Sequence, residues 1–322
     1  MPPLATLVCA SSFDAALHDA YGCLHARSSY DLLGPEWLPG DLSRFLGNVG
    51  RGNTLERALH LRFHSLVPGC VLVSMGDALC PAEVQHPVGD GLPDSAEGWI
   101  RRCGFAIAKL KVAAQDPHAD AAWVVSTARL LRDLHAEMRT GLQTWVSVDP
   151  NEGYADVEQL VAFLRYVQEI DPKSYAAIRY IEQPISRINS MMVDLTPAST
   201  LKPILADEGI TGVAELDELL RAGWNGLALK TCKSHTLCLL LAAWCHLTNH
   251  PYSLQDLTNP ALAAVQALGL AARLRTLNGI ELNSPQFTPL ANTEVAVMHP
   301  GVFEVRHGEH DASTIQGIGL GY

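Results

Sequence analysis

Three acidic residues stand where short strand-forming runs give out. Asp149 follows Thr144-Trp-Val-Ser-Val148, Glu182 follows Ile178-Arg-Tyr-Ile181, and Asp207 follows Pro203-Ile-Leu-Ala206. Runs rich in β-branched and aromatic residues read as strands. In a parallel sheet the first carboxylate beyond a buried strand lies at its carboxyl end, where α/β folds place chemistry. Asp149 and Glu182 are 33 residues apart and Glu182 and Asp207 are 25 apart, each about one strand-and-helix unit, so the three acids belong on adjacent strands of one rim. Adjacent strands lie about 4.8 Å apart, which brings their oxygens within reach of a single ion. Three hard oxygen donors with open positions suit Mg²⁺, or Mn²⁺ in its place, and the absence of His or Cys at these tips argues against zinc.

Lysines stand in the same phase. Lys109 and Lys111 end the run Ala108-Lys-Leu-Lys111, and alternation along a strand turns both to one side. Lys230 closes the apolar run Gly226-Leu-Ala-Leu229. An unpaired buried ammonium costs several kcal/mol, so three such lysines require acids close by, and the three carboxylates supply them. Taken singly, an acid at a strand end caps the following helix and a terminal lysine snorkels to water. Six such residues in phase point instead to a site. His118, His135, His246 and His250 fall on helices or loops and read as structural.

The elements that must position these residues begin near Cys70, where short apolar runs alternate with amphipathic helices. Strands are expected near 70–74, 105–111, 144–149, 178–182, 203–207, 226–230, 251–255 and 278–283, with helices over 119–138, 157–170, 213–222, 237–247 and 260–274. Eight strands imply a closed (β/α)-barrel, which takes roughly 250 residues. A chain of 322 leaves room for a smaller appendage. Upstream, Phe13, Leu17, Ala20, Tyr21 and Leu24 recur at helical intervals, predicting a helix with that stripe buried. Residues 28–53 read as a loop-rich connection and 55–62 as a further helix. The late glycines Gly317, Gly319 and Gly321 lack the bracketing strand and helix of a nucleotide loop.

Composition narrows the partners. Apolar residues make up 48% of the chain, enough for a large core, and charged residues only 18%, which suggests surface buried in a homo-oligomer. A net charge of −11 with no basic run excludes nucleic acid and anionic membrane as main partners, leaving a small molecule. The eight cysteines show no Cys-x-x-Cys spacing and read as reduced, mostly core residues. The amino terminus lacks a basic segment ahead of its short apolar run, and no stretch approaches the roughly 20 apolar residues of a membrane span, so a soluble cytoplasmic protein is expected.

Together the motifs Lys109-x-Lys111, Asp149-x-Asn151, Glu182-Gln-Pro184, Ala206-Asp-Glu208 and Lys230 resemble the enolase superfamily, in its mandelate racemase/muconate lactonizing enzyme family and the muconate lactonizing branch. Phe13-Asp-Ala-Ala-Leu-His-Asp19 with Tyr30-Asp-Leu-Leu-Gly34 is similar to the helix and turn leading from that family's capping domain into its barrel, and Gly319-Leu-Gly321 to its closing segment. The resemblance implies an α/β fold: a (β/α)-barrel over 67–290 with a truncated capping region, 1–66, joined by the tail 291–322. It implies Mg²⁺ on Asp149, Glu182 and Asp207, with Asn151 and Glu208 supporting them. Lys111 and Lys230 would be the acid/base pair, and Lys109 would favour the neutral amine that a base must be. The implied chemistry is removal of the proton α to a carboxylate through an enediolate, ending in racemisation or epimerisation, cycloisomerisation, or elimination. Glu281 and Asn283, at the tip of strand eight, are the implied substrate contacts, and their pattern differs from the Asp-x-Asp with which dipeptide epimerases hold an ammonium. The loop after Lys230 departs from the family, with His235-Thr236, after Lys233-Ser234, where a Gly-Gly usually follows. The alternative is a non-catalytic barrel that binds metal or a partner without a complete lid.

Overall fold

The computed structural model describes residues 1–59 and 61–322. Its centre is a ring of eight parallel strands in chain order: β1 (Val71–Ser74), β2 (Ile107–Lys111), β3 (Trp145–Asp149), β4 (Ile178–Glu182), β5 (Ile204–Ala206), β6 (Gly226–Lys230), β7 (Tyr252–Gln255) and β8 (Ile280–Glu281). A bridge between Gly69 and Ile280 brings β8 back beside β1 and closes the ring. Each strand falls on one of the expected apolar runs, because a strand packed on both faces is apolar over most of its length. One continuous apolar core joins the outer face of this ring to the surrounding helices.

Helix starts follow local chemistry. The helix Pro117–Glu137 begins with Asp116 accepting from His118 N at 2.9 Å and with proline in its first turn, and Val157–Ile170 begins with Asp156 accepting from Gln159 N at 2.9 Å. The helix His235–Thr248 is buried from Cys238 to Cys245. Its lack of a polar face follows from its position, since the helices Ser43–Gly50 and Leu55–Leu59 pack on the side turned away from the barrel. The helix expected over 55–62 is described only to Leu59, and residue 60 lies outside the described residues. The stretch expected as one helix over 213–222 divides into a 3₁₀ turn, Val213–Glu215, and a short helix, Leu216–Arg221.

The amino-terminal helix Pro3–Leu24, here α1, corrects one expectation. Its apolar stripe faces outward, with Phe13 73%, Leu17 71% and Leu24 77% exposed. The buried positions are the small ones, Ala15 and Gly22. A Cβ on Gly22 would stand 2.4 Å from Ser29 Oγ and 2.6 Å from Gly319 Cα, so close approach of backbone to backbone selects the docking face. Periodicity identifies which residues share a face but not which face meets the protein.

All eight cysteines are free; five are buried, Cys9 and Cys23 are exposed, and Cys80 is intermediate. Among the described residues no helix is long and apolar enough to cross a membrane.

The turn entering β8 ties the barrel to its flank, where Leu66–Pro68 pairs antiparallel with Glu309–Asp311. Gly279 holds φ +68°, and a Cβ there would lie 1.9 Å from Pro68 O. Gly279→Ala is therefore expected to cost more than about 2 kcal/mol, combining the left-handed conformation with a backbone clash. Gly212→Ala, with extended backbone and open space at its Cβ, should stay within about 0.5 kcal/mol of wild type. Urea unfolding of both variants checks this, and a wild-type midpoint for Gly279→Ala would contradict the described turn.

Candidate active site

Alternation along the strands stacks the barrel interior in layers. Tyr180, Leu205 and Ala228 form a small buried apolar cluster apart from the main core. Two residues further along each strand, on the same side, come Glu182, Asp207 and Lys230. The charged layer thus rests on an apolar floor at the carboxyl end of the barrel.

Lys109 organises one half of that layer. Its Nζ donates to Glu182 Oε1 at 2.8 Å and ion-pairs with Asp149 Oδ2 at 3.1 Å and Glu281 Oε2 at 2.9 Å, the last two by proximity of charge and not as aligned hydrogen bonds. Burial alone would lower the lysine's pKa, but the carboxylates outweigh it and hold the ammonium well above its usual range. Glu182 also accepts from Gln255 Nε2. Burial, with Asp149 and Asp207 nearby, pushes its carboxyl up to about 8 even though Lys109 opposes the shift.

Asp207 organises the other half. Lys230 Nζ lies 2.5 Å from Oδ2, while Lys233 Nζ lies 2.9 Å from Oδ1 and 2.6 Å from the main-chain oxygen. Burial opposes its charge, yet the two ammoniums hold this carboxyl well below the usual range. Lys230 is correspondingly raised, its loss of solvation outweighed by Asp207. Gln183 supports the strand tip by accepting from Asp207 N at 2.9 Å and Gly209 N at 3.0 Å.

The remaining expected residues lie in or beside the same layer. Lys111 faces the open mouth at 34% side-chain exposure, donates to Asn151 Oδ1 at 2.9 Å and lies 3.7 Å from Asp149 Oδ2. Asn151, in the left-handed region at φ +46°, donates its main-chain N to Asp149 Oδ1 at 2.8 Å and its amide to Oδ2 at 3.3 Å. Glu208 Oε2 is buried without a hydrogen bond, and burial followed by the Asp207 charge raises its pKa. Asn283 Nδ2 donates to Glu281 Oε1 at 2.7 Å, aligning the acid that Lys109 meets.

Sequence reasoning missed Gln255, Lys233, Gln183 and Asp256. Gln255 ends β7 as Glu182 ends β4, so the strand-tip argument reaches it once polar as well as acidic tips are counted. Asp256, one residue on, is pushed up to about 7 by burial and then by Glu281. Lys233 lies in a 3₁₀ turn, Thr231–Lys233, and has no periodic signal.

The donor set fits a hard divalent cation in kind, being all oxygen, buried and short of positive charge at Glu182. As placed, the acids are closed around ammonium groups, and no three acidic, histidine or cysteine side chains among the described residues form a group that could hold a metal ion. A cation would have to exchange with those contacts. A cavity of about 1120 Å³ opens at the opposite, amino-terminal end, lined by Gly69, Ile107, Trp145 and Leu277; it is remote from the acids and lysines.

Comparison with known proteins agrees with this fold. A family model described as "Enolase C-terminal domain-like" matches residues 91–322. Among solved structures, a muconate lactonizing enzyme is similar with 23% identity and a TM-score of 0.63, covering 95% of this chain and 69% of its own. Muconate cycloisomerase from Pseudomonas fluorescens is similar with 22% identity, a TM-score of 0.63 and coverage of 95% and 69%. The muconate lactonizing enzyme from Pseudomonas putida gives 22%, 0.62, and 95% and 70%. The sequence matches none of the curated proteins.

Lys109→Met should destabilise the metal-free protein by about 3–5 kcal/mol, since it strands carboxylates in the interior. The deficit should grow as pH rises from 5 to 8. A carboxyl raised to about 8, as Glu182 is, keeps a proton in the folded chain that the unfolded chain releases above its ordinary value of 4.5, so its folded-state advantage is lost as pH rises. Without Lys109 the shift is larger still. Urea midpoints of variant and wild type in chelator at the two pH values measure this, and equal deficits at both would contradict it.

Proposed function

Because the chain belongs to the enolase C-terminal domain-like family, we propose that it is an isomerase or lyase that removes the proton α to a carboxylate of a small substrate. The observation that carries this reading is that Lys111 and Lys230 end β2 and β6, strands four apart in a ring of eight, with the acid-tipped strands β3, β4 and β5 between them. A substrate over the apolar floor would meet one lysine on each face.

Asp149, Glu182 and Asp207 would hold the divalent cation, Mg²⁺ or Mn²⁺, which when bound offsets the negative charge that grows on a substrate carboxylate as its α-proton leaves. The chain's own residues supply the rest. Lys111, at the open side and held by Asn151, is the group that in its neutral form takes the proton from the substrate carbon. Lys230, buried at the end of β6, presents its ammonium to the enediolate's other face. Glu281 and Asn283 are proposed as substrate contacts at the rim, and Asn151 and Glu208 as groups that orient the acids. This asymmetry favours one-sided proton transfer, as in cycloisomerisation or elimination, over a racemase with two equivalent bases.

The closed ion pairs favour a second reading, a barrel that binds ions or a partner without turnover. Solvent ²H exchange into a panel of carboxylates with Mg²⁺ or Mn²⁺ separates the two. The proposed enzyme exchanges the α-proton of one enantiomer, Lys111→Ala lowers that exchange by about 10²–10⁴, and Lys230→Ala lowers it on the same enantiomer. If each variant instead lost exchange of a different enantiomer, a two-base racemase would replace this mechanism. If no carboxylate exchanged, the non-catalytic barrel would stand.

A further inference from the structure

The segment that carries Lys230 and Lys233 is held in a conformation its own residues disfavour. After β6, a single 3₁₀ turn, Thr231–Lys233, leads to Ser234 at φ +126°, ψ 135°, and the helix His235–Thr248 starts at once. The two lysines grip the two carboxylate oxygens of Asp207; Lys233 is carried by this turn, and Lys230 by the strand end directly before it. A side-chain-bearing residue at such a φ is disfavoured roughly tenfold to a hundredfold, and it persists only where its surroundings over-determine it.

Asp14, on α1, supplies that surrounding. Its Oδ2 accepts from Ser234 Oγ at 2.7 Å and from Thr236 N at 2.8 Å, and its Oδ1 accepts from Thr236 Oγ1 at 2.6 Å. Ser234 Oγ in turn accepts from Leu237 N at 3.0 Å, so one carboxylate from a distant helix completes the cap of His235–Thr248. His18, one turn further along α1, lies with Nε2 2.9 Å from Thr236 Oγ1. Because that hydroxyl gives its hydrogen to Asp14, it can only accept from His18. Burial would raise the pKa of Asp14, but the hydrogen bonds from Thr236 and Ser234 and the nearby His18 leave it lowered, so the clasp is anionic at neutral pH.

We propose that Asp14 is a positioning residue: it fastens Ser234 and Thr236 so that the strained turn holds Lys233 and the end of β6, which carries Lys230, in place. The role in turnover rests on the reading of Lys230 given above, while the clasp itself does not. Asp14 touches neither the acids nor Lys230, and it acts only through the backbone of the turn.

The prediction separates positioning from simple fastening of α1. Asp14→Ala should lower kcat for α-proton exchange about tenfold while KM stays within about twofold, because the interaction lost acts on the proton-transfer geometry and not on binding. Amide exchange at Thr236, Leu237 and Cys238 should rise about tenfold in the same variant. Ser234→Gly alone should fold normally, since glycine takes positive φ freely and loses the side-chain cap and one of the three hydrogen bonds to Asp14, leaving both from Thr236. In Asp14→Ala/Ser234→Gly the loss in kcat and in amide protection should shrink, because the turn no longer needs to be held. If Asp14→Ala does not fold, Asp14→Asn, which keeps one acceptor, should give the same pattern at smaller size. Wild-type amide protection in Asp14→Ala, or equal losses with Ser234 and with Gly at position 234, would overturn the proposal. Should wild type exchange no carboxylate at all, the functional reading fails, and the amide-exchange comparison still decides the clasp.

Discussion

Buried charge must be neutralised, and the rest of the structure depends on how that is done. Asp149, Glu182, Asp207 and Glu281 share one layer with Lys109, Lys230 and Lys233, and none of the seven is more than 8% exposed. Any of these charges left alone would cost several kcal/mol, a large share of a typical domain's stability. Neutralisation needs the tips of six strands and one turn to arrive at the same height. A slip of one residue in any strand would turn its charge outward to the helices, so strand register and site chemistry are fixed together.

The compensation is uneven, and the unevenness has chemical direction. Asp207 holds two lysines and is fully ionised, whereas Glu182 shares one lysine with two other acids and is pushed up to about 8. Negative charge is therefore in surplus toward β4, β7 and β8, where Asp256 is also raised. Positive charge is locked in place toward β6. A site with this polarity accepts added cationic charge on one side and presents a fixed cation on the other, which matches what is needed to draw a proton from beside a carboxylate.

What was legible in the sequence follows from how strongly each feature is over-determined. Buried parallel strands are apolar over most of their length, so the runs ending at Asp149, Glu182 and Asp207 carried both the fold and the position of the charges. Lys109 and Lys111 were readable because a period of two has only two phases. The outward stripe of α1 was not, because amphipathicity is the same whichever side is solvated. Lys233 and Gln183 were also hidden: one lies in a turn without periodicity, and the other acts through backbone groups that only the folded rim brings to it. Convergence of the acids on a single ion followed from strand spacing alone, whereas the placed side chains prefer ammonium partners that the same sequence carries.

The two lysines of the proposed pair differ in access as well as in charge. Lys111 reaches the open mouth, donating to the Asn151 amide oxygen with Asp149 3.7 Å away. Lys230 could give up its proton only by leaving Asp207 as a buried carboxylate with one partner fewer, at 2% exposure. Its turn is further braced by Lys233 on the same carboxylate and by contacts from α1. Lys230 is therefore the more closely held of the two, and Lys111 the more exposed. That division arises because β6 leads directly into a strained turn under the amino-terminal helix, while β2 opens toward solvent beside Asn151.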